Sequence, residues 1–247
     1  MDIWFIYFIL FVVACLAFTL STISGGGGAL LQIPILNMLV GTSQTAPILN
    51  FGTWLSRPVR VFIFWKYIHW NIFFYYVPAA IIGVLLAAWL FSKVSLPWLQ
   101  LVVGLFLIST LFQYQFGKKQ KSFKVVLWYF LPIGLLVGIL GTFTGGMGPI
   151  LNPFLLNAGI TKEQLIGTKA AQSFFVGLTQ VGSYWAFGLL HNNLLGYGLA
   201  IAIGAIVGTL IGKRSLAKIN AVQFKKLTIL FMVISGVVMV IKSVQLP

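Results

Sequence analysis

The stretch TISGGGGALLQIP, residues 22–34, returns in altered form as TFTGGMGPILNP at residues 142–153. Each copy sets a hydroxyl residue and a glycine run inside a hydrophobic stretch, and each leads directly into a short apolar piece. A glycine run lets the backbone leave a helix. Inside a membrane this exposes amide groups that only a cavity or a ligand can satisfy. A segment that starts there presents unpaired N–H groups and the positive end of a helix dipole, the arrangement that attracts anions.

The solvent follows from composition. Of 247 residues, 60% are hydrophobic and only 7% charged, with a mean hydropathy of +1.02. Soluble domains carry about a quarter charged residues, so most of this surface must face lipid. The segment from Ile3 follows Asp2 with no basic residues and runs into the glycines without a small-residue cleavage site, so it is expected to stay as a membrane helix. Cys15, the single cysteine, lies in that segment, which excludes an intramolecular disulfide. The net charge of +14 does not indicate nucleic acid, because Lys118, Lys119, Lys121 and Lys124, and again Lys213, Arg214 and Lys218, sit between hydrophobic runs as cytoplasmic loops of membrane proteins do.

With about 20 residues needed per crossing, hydropathy predicts helices near 3–24, 45–66, 71–92, 97–116, 124–142, 163–188, 192–212 and 221–242. Residues 28–40 and 148–158 are too short to cross and are predicted to be re-entrant or broken helices. The halves correspond. Ser24, Gly25, Gly26 and Gly28 fall on Thr144, Gly145, Gly146 and Gly148; His69 and Asn71 fall on His191 and Asn193; Gly83 and Phe106 fall on Gly208 and Phe231. Four long helices plus one returning piece make an odd unit, and odd units alternate in orientation. Placing the lysine-rich linker in the cytoplasm also puts Arg60, Lys66, Lys162, Lys213, Arg214, Lys218, Lys225 and Lys226 at or near the inner face, leaving Lys93 and Lys242 outside. The expected architecture is an all-α integral membrane protein of two inverted-topology repeats, residues 1–117 and 125–247, joined by a cytoplasmic linker at 118–124, with both termini outside.

Inverted repeats with interrupted helices point to a secondary transporter whose site lies near the membrane midplane. The expected substrate-binding set is Thr22, Ser24, Gly25, Gly26, Gly27 and Gly28 from the first cluster, and Thr144, Gly145, Gly146 and Gly148 from the second. Asn50, Arg57, Lys169 and Gln172 join them from the following helices. Arg57 and Lys169 qualify as ionisable groups at membrane depth, although either could snorkel to an interface. Gln32, Asn37, Asn152 and Asn157 offer neutral amides nearby. By contrast, Gly204, Gly208 and Gly212 have the four-residue spacing of a helix-packing seam. Only Asp2 and Glu163 are acidic, so no buried carboxylate is available for a proton relay or a sodium cage, and no glycine-rich nucleotide loop is present. No cofactor, metal or enzymatic activity is expected: His69 and His191 are predicted on opposite faces and cannot form a catalytic pair. A passive anion channel of the same architecture is the alternative. Expected partners are a small anion and the lipid bilayer, and no nucleic acid; a homodimer is left open.

The sequence SGGGGALLQIP (24–34) with TAPILN (45–50), repeated as TGGMGPILNP (144–153) and GTKAAQ (167–172), resembles the TauE/SafE sulfite exporter family, also called four-toluenesulfonate uptake permeases. The resemblance covers nearly the whole chain. It implies transport, most simply export, of sulfite, sulfoacetate or related organosulfur anions across a bacterial plasma membrane. The second cluster departs from a pure glycine run at Met147 and Pro149.

Overall fold

A computed structural model describes residues 3–26, 28–40, 42–91, 105, 108–109, 112, 124–144, 150–188, 190 and 195–245. All regular structure among them is helical: α1 (Ile3–Ile23), α2 (Gly28–Val40), α3 (Thr42–Phe64), α4 (Trp70–Phe91), α5 (Phe130–Thr144), α6 (Asn152–Asn157), α7 (Lys162–Ala186), α8 (Leu195–Leu216) and α9 (Ala221–Gln245). The expected span at 97–116 and the linker at 118–124 lie outside the described residues but for a few positions. Two differences from the sequence reading have local causes. The second short piece, expected over 148–158, is helical over Asn152–Asn157 among its described residues 150–158, with Pro153 in its first turn. Helix α3 starts at Thr42 instead of residue 45 and carries Pro47 and Pro58 within it.

Windows within α1, α4, α8 and α9 are long and apolar enough to cross a membrane. At 23 and 25 residues, α3 and α7 are also long enough, yet they are less apolar because each carries a row of polar side chains. The outer surface is greasy. Phe8, Phe62, Phe74, Trp89, Leu136 and Trp185 are all more than half exposed, as lipid-facing side chains are.

Helix α1 leans on α8, and glycines make the contact close. A Cβ at Gly204 would meet the Phe11 carbonyl oxygen, one at Gly208 that of Cys15, and one at Gly212 the Thr22 Cβ at 2.6 Å. The numbers rise together, so these helices run parallel. Helices α4 and α5 pack in the same manner: a Cβ at Gly134 would meet the Tyr76 carbonyl oxygen and one at Gly138 that of Ala80, again in parallel. Between α3 and α7 the order reverses. Asn50 bonds to Tyr184, Arg57 to Ser173, and a Cβ at Gly167 would meet the Phe64 carbonyl oxygen, so α3 and α7 are antiparallel. Helix α3 also packs on α8, as α4 does on α7. These pairings are preserved when α1, α3 and α4 are exchanged with α5, α7 and α8.

The short helices fill equivalent gaps. Leu36 of α2 is buried with Leu10, Ile48 and Ile201, while Leu155 of α6 is buried with Phe130, Ile72 and Leu165. The first break is a turn that only glycine makes easily, with φ of +74° at Gly25 and +141° at Gly26. One end of the molecule gathers basic residues. Lys162 donates to the carbonyl oxygens of Leu216 and Ile219, which brings the start of α7 against the end of α8, where Lys213 and Arg214 lie.

Candidate functional site

Helices α3 and α7 place their polar faces towards each other. On α3, Asn50, Thr53, Arg57 and Arg60 recur at three- and four-residue spacing, which puts them on one stripe of the helix. On α7, Lys169, Gln172, Ser173 and Gln180 stand at i, i+3, i+4 and i+11, which also share one face. Together with the turn at Gly25 and Gly26 and the start of α2 at Gly28, they line a cavity of about 170 Å³.

Among the described residues three cations reach this cavity, and each donates to neutral oxygens. Arg57 donates from Nη1 to the Ser173 carbonyl oxygen and from Nη2 to Thr53 Oγ1 at 3.4 Å. Arg60 donates from Nη2 to the Ser21 carbonyl oxygen at 3.3 Å, and its buried Nε has no partner. Lys169 Nζ donates to the Gly25 carbonyl oxygen and to Asn152 Oδ1, so it ties α7 both to the first glycine turn and to the short helix α6. Among the described residues no acidic side chain lines the cavity. Glu163 is engaged 3.5 Å from Lys162 at the start of α7. Positive charges held out of water without a carboxylate raise the potential of the space between them, and the opposite charge is drawn into it.

Gln172 sits in the same wall. It is 2% exposed, and neither its amide oxygen nor its amide nitrogen has a partner. Asn50 is held by Tyr184, to whose hydroxyl it donates at 3.3 Å.

Of the residues expected from sequence, Gly25, Gly26, Gly28, Asn50, Arg57, Lys169 and Gln172 come together around this cavity. The hydroxyls of Thr22 and Ser24 turn back to the backbone, Thr22 to Phe18 at 2.8 Å and Ser24 to Leu20 at 2.8 Å and Gly26 at 3.1 Å, so they hold the end of α1 and its turn. Gly27, Gly145, Gly146 and Gly148, and the side chain of Thr144, lie outside the described residues. Gln32 folds onto the Gly28 carbonyl oxygen at 3.4 Å, and Asn157 onto that of Pro153 at 2.8 Å. His69 serves a turn: its backbone N–H donates to Thr168 Oγ1 at 2.9 Å, and its Nδ1 accepts from the Ile72 N–H at 3.5 Å. His191 lies outside the described residues.

Sequence reasoning passed over Arg60, Thr53, Ser56, Ser173 and Gln180. Arg60 had been assigned to the inner face by the charge count alone. The signal was present in its spacing, because a residue three after Arg57 must share its face.

A family model described as Sulfite exporter TauE/SafE matches residues 10–239. No curated protein and no solved structure matches the chain. The match runs across both glycine clusters and every helix that builds the cavity. With its apolar helices and a cavity lined by Arg57, Arg60 and Lys169, this multi-pass membrane protein belongs to the TauE/SafE sulfite exporter family.

Proposed function

We propose that the protein exports sulfite, or a small organosulfur anion of similar size, across a bacterial plasma membrane, by alternating access of two inverted halves about the cavity between α3 and α7. The observation that carries this reading is the convergence of Arg57, Arg60 and Lys169 on a cavity whose described wall holds no acidic side chain. A cation transporter would need the reverse charge, and a site for a neutral solute would have no use for three cations in its wall.

The helix directions support inversion of residues 1–117 against 125–247. Helices α1 and α5 are equivalent, as are α3 and α7, and α4 and α8. Parallel halves would make α3 and α7 parallel, whereas they run antiparallel, and inverted halves also account for the parallel pairs α1–α8 and α4–α5. The linker at 118–124 then lies in the cytoplasm. Energetics permit export without a coupling ion, because moving one negative charge out of a cell with an inside-negative potential is downhill by about 2.3 kcal/mol per 100 mV.

The test is sulfite flux into proteoliposomes from the purified protein. Saturable flux, accelerated by sulfite on the far side, is expected. Arg57→Gln should weaken sulfite binding roughly tenfold, the worth of one charge-assisted contact. Flux that neither saturates nor responds to far-side sulfite would make the protein a channel, and failure to bind or move any sulfur oxyanion would reject the assignment.

A further inference from the structure

The three cations around the cavity are donors only. Arginine and lysine offer N–H groups and no acceptor, so they would take a sulfur oxyanion in any state of protonation. Gln172 differs. Its amide carries one acceptor and two donors, it is almost fully buried in the cavity wall, and neither of its polar atoms is bonded to another protein group. Exchanging the amide oxygen and nitrogen changes nothing, since both positions lack partners and an acceptor is present either way.

An unpaired buried acceptor is the feature that a fully deprotonated anion cannot satisfy. Sulfate and chlorate present oxygen lone pairs and nothing else, so against Gln172 they answer the amide N–H groups and leave the amide oxygen facing another oxygen. An oxyanion that keeps a proton has one donor to give. Sites built around a hydrogen-bonding group reject ligands that lack the complementary group, because the group is then left unpaired.

We propose that Gln172 is a specificity residue that selects protonated oxyanions, hydrogensulfite among them, over unprotonated ones of the same shape and charge. This rests on the proposed anion site. Among the side-chain amides of the wall, Asn50 is bonded to Tyr184 and Gln180 has no atom both fully buried and unpaired, whereas Gln172 has two; Arg57, Arg60 and Lys169 have no acceptor. The amide distinguishes ligands by its oxygen, while the cations supply affinity for all of them.

The experiment is calorimetric titration of the purified protein at one mildly acid pH with hydrogensulfite, hydrogenselenite and chlorate. All three are pyramidal monoanions there, and only chlorate lacks a proton. The two protonated anions should bind roughly tenfold tighter than chlorate, as expected for one satisfied buried acceptor. Gln172→Met, close in size and without polar atoms, should bring the three affinities to within about twofold of one another. Equal affinities in the parent protein would overturn the role of Gln172 while leaving the anion site standing. Absence of binding by any of the three would instead overturn the anion site. Should Gln172→Met fail to fold, the ratio measured on the parent decides by itself.

Discussion

Gly177 shows how one missing methyl group shapes the cavity. A Cβ at that position would overlap Arg57 Nη1, so the guanidinium lies in the room that the glycine leaves on α7. Gly177→Ala should therefore push Arg57 away from the Ser173 carbonyl oxygen, and because a long side chain yields more readily than two packed helices, the fold should survive. Sulfite affinity should fall about as far as in Arg57→Gln, roughly tenfold, and the double variant should be little worse than either single one, since both remove the same contact. Gly182→Ala is the matched control: it lies on the same helix, a Cβ there meets nothing within 4 Å, and calorimetry should return the parent's affinity. Arg57 was legible in the sequence because a lone charge inside an apolar run stands out. Gly177 was not. Its meaning comes from a neighbour on another helix, and no property of the residues around it in the chain points there.

Among the elements, α7 shows best what local sequence encodes. Thr161 accepts from the Gln164 N–H at 3.2 Å while the Gln164 side chain accepts from the Thr161 N–H at 2.9 Å, the reciprocal pair that starts a helix firmly. Thr161→Ala should lower stability by about 1 kcal/mol, read as a lower unfolding temperature in detergent, with sulfite affinity unchanged because the cap is separated from Lys169 by two turns. The four-residue spacing of Gly204, Gly208 and Gly212 announced a packing face, and these glycines do meet the backbone of α1. The short helices were harder to bound. Composition marks where a helix breaks, at the glycines, but where the next turn closes depends on what covers it, so Asn152–Asn157 came out shorter than the apolar run around it. Arg60 illustrates the same limit. A count of basic residues places it near a membrane face, whereas its partner, the Ser21 carbonyl oxygen, belongs to a helix some forty positions earlier and turns it towards the cavity.

At the scale of the molecule, the residues themselves point to a duplication, since Gly83 and Gly208 or His69 and His191 match across the proposed halves. Relative direction was not, because equivalent residues recur identically in parallel and inverted repeats, and only an odd helix count and the lysine distribution bore on it. The antiparallel contact of α3 with α7 adds a geometric reason that neither of those supplies. It leads to a direct prediction about the two equivalent loops, the one at Trp65–Tyr67 between α3 and α4 and the one after α7 at Phe187. With Cys15 first replaced by Ser so that no other thiol is present, Tyr67→Cys and Phe187→Cys each offer a single site on a side chain that is about half exposed. In intact cells a membrane-impermeant maleimide should label Phe187→Cys readily and reach Tyr67→Cys only after the membrane is permeabilised, because Lys66 beside Tyr67 and the basic cluster of Lys162, Lys213 and Arg214 belong on the cytoplasmic side. Parallel halves would place both loops on one side, so equal labelling of the two variants in intact cells, or of neither, would remove the inversion and with it the alternation of the two halves about a shared cavity.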